Sequence, residues 1–192
     1  MSETSTSQDP VSYYIDHTIY TGRPADTTSR LPKEIRTYDL LDSLGIAYAR
    51  ADHDTLPTME ACQEVGNLLG IEIRNTQKTA FYLLILPGRK KFKTAALSKQ
   101  IGSARLSFAE PEFMEQYLNI TPGSVSVLGL MNDPENKVRL LIDKDILKNH
   151  PYFGCHPCIN TSSLKFRTED LLNKILPAIH HDYTMVDLPY AE

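Results

Sequence analysis

After Pro32 the apolar residues Ile35, Tyr38, Leu41 and Leu44 return at the spacing that lines one face of a helix, and Gly45 closes the pattern where a left-handed residue is favoured. Ile46, Tyr48 and Ala49 then predict a short strand running toward His53, and Thr58 is placed to cap a second helix through Leu69, ended by Gly70. The unbroken apolar run Ala80 to Leu86 predicts a strand buried on both faces at the centre of a sheet, stopped by Pro87-Gly88. Thr94 to Ile101 reads as a helix ended by Gly102, Arg105 to Phe108 as a strand, and Pro111 to Leu118 as a helix with proline in its first turn. Val125 to Met131 and Lys137 to Ile142 flank Asn132-Asp133-Pro134-Glu135-Asn136, the pattern of a hairpin. Thr168 caps a last helix to Leu176, before a terminal strand from Tyr183 to Leu188. Short helices interleaved with strands give an α+β, mixed α/β class without a regular βαβ repeat.

The 192 residues suit one domain. Residues 1–30 are polar and broken by Pro10, Gly22 and Pro24, which predicts a loosely attached extension ahead of a single domain over 31–192. A hydrophobic share of 41%, with no apolar run approaching the roughly 18 residues of a membrane span, predicts a soluble protein. Met1 to Pro10 lacks the basic start and apolar core of a secretory signal, so a cytoplasmic address is expected. Three cysteines, an odd number, argue for reduced thiols. The net charge of −4 excludes a broadly basic nucleic-acid binder and leaves room for a local patch, of which Arg89, Lys90, Lys91 and Lys93 are the candidate. By themselves these four cations fit a solvated hairpin tip better than a nucleic-acid contact.

Two loops concentrate short polar side chains between apolar runs. One is Thr121-Pro122-Gly123-Ser124-Val125-Ser126, an ordinary turn unless it meets a second element. The other is Gly154 to Ser163, where His156 precedes Pro157 and is followed by Asn160, Thr161 and Ser162. His156 either positions a substrate or water, or holds its own loop through a backbone carbonyl. Cys155 and Cys158 have the spacing of half a zinc knuckle, but the other half is missing, so neither a metal nor a cofactor is expected. A cysteine or serine nucleophile is also disfavoured, because none has a recognisable base with an orienting group.

The segments Leu97-Ser98-Lys99-Gln100 and Arg105-Leu106-Ser107-Phe108-Ala109, the Lys-rich turn before them, the Pro-Gly-Ser-Val-Ser loop and the Gly-x-His-Pro-x-x-Asn-Thr stretch follow one another in register. In this order they resemble the prolyl-tRNA editing family, the YbaK-like (ProX-type) domain also inserted in some prolyl-tRNA synthetases, over roughly Glu34 to Leu188. The resemblance implies that family's fold, a largely antiparallel central sheet of about six to seven strands surrounded by short helices. It implies a free-standing deacylase that hydrolyses the ester between a wrong, small amino acid, typically alanine, and the proline tRNA.

By the same resemblance Gly123, Ser124, Val125 and Ser126 present backbone N–H groups to the aminoacyl group and its developing oxyanion. His156 matches the family histidine, and Asn160, Thr161 and Ser162 complete the pocket. The family's Lys-Asn pair, credited with holding the tRNA end, has no direct match: the stretch after Gly70 reads as shortened, and either Arg74 or Lys78 takes that place or both are solvated turn charges. Val127 stands where the family loop often has proline. The implied partners are the aminoacylated acceptor end of a tRNA, contacted by Arg89, Lys90, Lys91 and Lys93, and prolyl-tRNA synthetase; neither membrane nor DNA is expected. The competing function is a tRNA- or synthetase-binding module of the same fold that does not hydrolyse.

Overall fold

The computed structural model describes residues 14, 16–55, 67–75, 78–87, 90 and 92–190, with the side chains of 67–79 left out of that description. Nine strands occur among them, and they divide into two sheets where one sheet of six to seven was expected. The first joins β1 (Tyr20–Thr21), β2 (Ala49–Asp52), β8 (Ser162–Arg167) and β7 (Tyr152–Cys155), antiparallel throughout. The second runs β5 (Leu106–Phe108), β3 (Asn67–Asn75), β4 (Lys78–Leu86), β6 (Val138–Asp143), β9 (Tyr183–Val186), antiparallel up to β4 and parallel beyond it. The mixed α/β class holds.

Alternation explains why β4 sits at the centre. Phe81, Leu83 and Ile85 face one core, with Tyr38 and Leu41 of α1 (Pro32–Ser43) and Leu164 and Phe166 of β8. Tyr82, Leu84 and Leu86 face a second core, with Leu97 of α2 (Thr94–Ile101), Leu141, Val186 and Leu188. A strand buried on both faces has no polar side to offer, which is why its sequence does not alternate. Both α2 and α3 (Pro111–Leu118) start and end where the sequence predicts; their closing residues Gly102 and Asn119 adopt left-handed conformations.

Three sequence readings are corrected. The helix expected to run to Leu69 does not: residues 67–69 belong to β3, with Gly70 opposite Leu83 in mid-strand, and the rest of that segment lies outside the described residues. The hairpin arm expected over Val125 to Met131 is a 3₁₀ helix, Val127–Asn132. Ser126 Oγ accepts from Leu128 N–H at its start, and Gly129 packs against α3, where an added Cβ would lie 3.1 Å from the Leu118 carbonyl oxygen. At its end the Asp133 carboxylate accepts from the Lys137 and Val138 N–H groups, so β6 leaves the turn toward β4 and not toward a hairpin partner. The final helix begins at Thr168 without that hydroxyl capping it, since Thr168 Oγ1 donates to His150 O. After α4 (Lys144–Asn149) and this start as α5 (Thr168–Asp170), a π-helical turn over Leu171–Ile175 leads to α6 (Leu176–Ala178), in which Pro177 brings no N–H to the helical ladder.

The described part of the segment before Pro32 is bound to the domain. β1 pairs with β2, Asp16 N–H donates to Asp52 O, and Arg30 binds Asp52 Oδ2 at 2.7 Å and the buried Glu34 Oε1 at 2.9 Å. Burial alone would raise the Asp52 carboxyl, but the guanidinium groups of Arg30 and Arg50 outweigh it and hold the value down at about 2. No helix among the described residues is long and apolar enough to cross a membrane.

Candidate active site

The glycine loop is built by its own turn. Pro122 and Gly123 occupy the middle of a turn closed by Ser124 N–H donating to Thr121 O at 3.0 Å, and Gly123 takes φ +85°, a conformation that favours glycine. Ser124 is spent on this turn: its hydroxyl donates to Thr121 O at 2.8 Å, accepts from Thr121 N–H at 3.1 Å, and is 1% exposed. The expectation that Ser124 offers its N–H to substrate is therefore corrected; its part is to shape Gly123. Among the described residues the N–H groups of Gly123 and Val125 meet no acceptor.

The histidine loop leaves β7 at Cys155 and enters β8 at Ser162. The His156 Nδ1–H donates to Ser162 O at 2.8 Å. Because a carbonyl only accepts, the neutral ring carries its proton on Nδ1, and Nε2 is left as an acceptor. Burial pushes the imidazole below its ordinary value, against the Ser162 carbonyl, so this neutral form is favoured.

The two loops meet. Ser126 Oγ donates to His156 O at 2.6 Å, and a Cβ built on Gly123 would lie 3.5 Å from Asn160 Nδ2. Asn160 is thus beside the glycine turn, and its Oδ1 accepts from Thr55 Oγ1 at 3.3 Å. Val125 is partly exposed and Thr161 exposed. Ser126 and Ser162 are both 0% exposed; the Ser126 hydroxyl joins the loops and the Ser162 carbonyl aims His156.

In the sequence His53 reads only as the end of a strand. In the structure its ring lies 6.0 Å from the His156 ring, Nδ1–H donates to Asp54 O, and Nε2 accepts from Ser163 Oγ at 2.9 Å. Its main-chain N–H donates to Thr161 O. The pairing of Asp52 with Ser162 carries His53 to the histidine loop, a register that no local pattern reveals.

The cationic residues separate. Lys90 is not a surface contact: Nζ is enclosed, 2.8 Å from Asp143 Oδ1 and 2.9 Å from Asp145 Oδ2, with Tyr190 stacked 5.0 Å away. Burial opposes its charge, but the two aspartates outweigh it and hold the ammonium above the usual lysine range. Lys93 is exposed ahead of α2, whereas Arg89 and Lys91 lie outside the described residues. Arg74 and Lys78 sit at the ends of β3 and β4, paired one step apart in the ladder, with their side chains outside the description. Cys155 and Cys158 are fully buried; burial pushes the Cys155 thiol well above its usual range and Cys158 up to about 12, so neither is a nucleophile. Among the described residues no group of three or more His, Cys, Asp or Glu is placed to hold a metal ion.

Comparison with known proteins shows what the chain is similar to. The prolyl-tRNA editing protein ProX of Acetoanaerobium sticklandii is 28% identical over 154 residues, 77% of this chain and 93% of its own length. A proline–tRNA ligase of Xanthomonas campestris is 26% identical over 97 residues, 47% of this chain and 16% of the ligase. A solved structure described as a candidate trans-editing enzyme for prolyl-tRNA synthetase shares the fold with TM-score 0.56 and 16% identity, over 84% of this chain and 99% of its own. The model of the aminoacyl-tRNA editing domain matches residues 60–174, which span both the glycine and the histidine loop, and the chain belongs to that family.

Proposed function

We propose that this protein is a free-standing aminoacyl-tRNA deacylase that hydrolyses the ester of a mischarged tRNA, with a small amino acid such as alanine on proline tRNA as its substrate. The observation that carries the reading is the tie between the loops, Ser126 Oγ to His156 O at 2.6 Å, with Asn160 of the histidine loop beside Gly123; it supports one site shared by the two loops. The resemblance to a prolyl-tRNA editing protein supports the choice of tRNA.

In the proposed reaction water adds to the ester carbonyl carbon, and the Gly123 and Val125 N–H groups receive the negative charge that develops on the carbonyl oxygen. His156 Nε2 accepts a hydrogen bond from the attacking water or the ribose hydroxyl and orients it. The carbon–oxygen bond to the ribose then breaks, the ribose oxygen takes up a proton, and free amino acid and tRNA leave. No covalent enzyme intermediate is needed, since Ser124 is locked in its turn and the cysteines are buried. Exclusion of proline by size would give about 1–3 kcal/mol per methylene-sized difference, so discrimination is modest and follows pocket volume.

Release of amino acid from tRNAs charged with alanine, serine or cysteine tests the reading. Alanine is expected to be released fastest from proline tRNA; saturable tRNA binding without release of any of the three would favour the binding module instead.

A further inference from the structure

We infer, resting on the deacylase reading, that the solvent-facing side of the four-stranded sheet is a platform for single-stranded RNA, which receives the nucleotides preceding the acylated adenosine. Leu164 and Phe166 of β8 point into the core, so Ser163, Lys165 and Arg167 point outward. The register sets Ala51 opposite Ser163, Ala49 and Gly154 on either side of Lys165, and Tyr152 opposite Arg167. Small residues along the middle leave a groove of about 410 Å³, walled by Ile19 and Tyr152, which are 68% and 55% exposed.

Lys165 Nζ lies 4.8 Å from the Tyr152 ring centroid, and Tyr152 also borders a second cleft with Lys148, His150 and Arg167. Lys148 and Lys165 have no ion pair among the described residues, while Arg167 is paired with Glu169. On an acidic protein this is a local concentration of cations beside an exposed ring. Single-stranded RNA is held by that combination, bases stacked on the aromatic face and phosphates near the ammonium groups. A protein partner would need a wider apolar area than one isoleucine and one tyrosine supply.

The groove also ends beside the paired histidines. Ser163 at its end donates to His53 Nε2 at 2.9 Å, and the His53 ring abuts that of His156. From Ser163 to Arg167 the strand extends roughly 13 Å. An RNA strand leaving an adenosine held at the His156 loop therefore runs over Ser163 toward Tyr152.

The test compares hydrolysis of aminoacyl-tRNA and of 2′(3′)-O-aminoacyl-adenosine by the full chain and by Tyr152→Ala, Lys165→Glu and Ala51→Leu, and measures binding of a short ACCA oligonucleotide by anisotropy. Each variant is expected to raise KM for the tRNA about 5- to 100-fold, leave kcat and the adenosine ester unaffected, and weaken oligonucleotide binding. Unchanged KM and unchanged oligonucleotide binding in all three overturn the platform even if wild-type deacylation is strong, and so does a change of oligomeric state in its place. Absence of wild-type hydrolysis of both substrates defeats the deacylase reading, and the oligonucleotide binding then decides the platform by itself.

Discussion

The hydroxyl of Ser126 donates to the main-chain carbonyl of His156 at 2.6 Å, both groups buried, so that a turn beginning at Thr121 and a loop beginning at Cys155 are held as one unit. Ser126→Ala leaves a buried carbonyl without its donor and is expected to cost about 1–3 kcal/mol. Because the same hydroxyl accepts from Leu128 N–H, the start of the 3₁₀ helix loosens too. Chemical denaturation gives the stability loss, and kcat should fall in the folded protein while tRNA affinity is retained.

Gly123 has room for a methyl group, since the nearest contact of an added Cβ is an ordinary 3.5 Å. Strain, and not collision, should therefore govern Gly123→Ala: at φ +85° a non-glycine residue costs on the order of 1–2 kcal/mol, relieved by rotation of the turn. Rotation moves the Gly123 and Val125 N–H groups away from the developing oxyanion. Single-turnover hydrolysis should slow by about 10²- to 10³-fold with KM nearly constant; equal losses in both would make the loop merely a tRNA contact.

His156 must be neutral to accept through Nε2. Burial lowers its value below that of the unfolded chain, so the unfolded state binds the proton more readily, and the associated stability is present above about pH 6.5 and lost as pH falls below it. Activity is expected to decline on the acidic side with an apparent value under that of free imidazole. A pH–rate profile that rises toward acid would contradict the assignment.

Lys90 looks like part of a basic stripe in the sequence and is an internal ion in the fold. Lys90→Met strands Asp143, which is 0% exposed, and should destabilise the protein by about 3–5 kcal/mol. Thermal or denaturant unfolding reads this directly. tRNA affinity of the folded variant should match the wild type, whereas a surface contact would lose affinity and keep stability.

What the sequence makes legible follows from how local each signal is. The helices Thr94–Ile101 and Pro111–Leu118 and the doubly buried β4 are encoded in their own residues: a first-turn proline, a closing glycine, an apolar run without alternation. Val125 to Met131 is equally apolar, yet the Ser126 cap and the close approach of Gly129 to Leu118 make it helical, a tertiary choice. The pairing of the glycine and histidine loops was readable through family resemblance, but the internal roles of Ser124, Ser126 and Ser162 were not, because motif membership does not distinguish a side chain that touches substrate from one that holds the loop. His53 depends on the β2–β8 register and Lys90 on the approach of Asp143 from another strand; both are relations between distant segments.

The most direct measurement is amino acid release from alanyl-tRNA of the proline type under single-turnover conditions, with wild type, Gly123→Ala and His156→Ala side by side. Release well above the spontaneous rate for wild type, reduced strongly by either substitution while tRNA still binds, is the result the joined-loop site predicts. Release at the spontaneous rate for all three, or undiminished release by both variants, would contradict it.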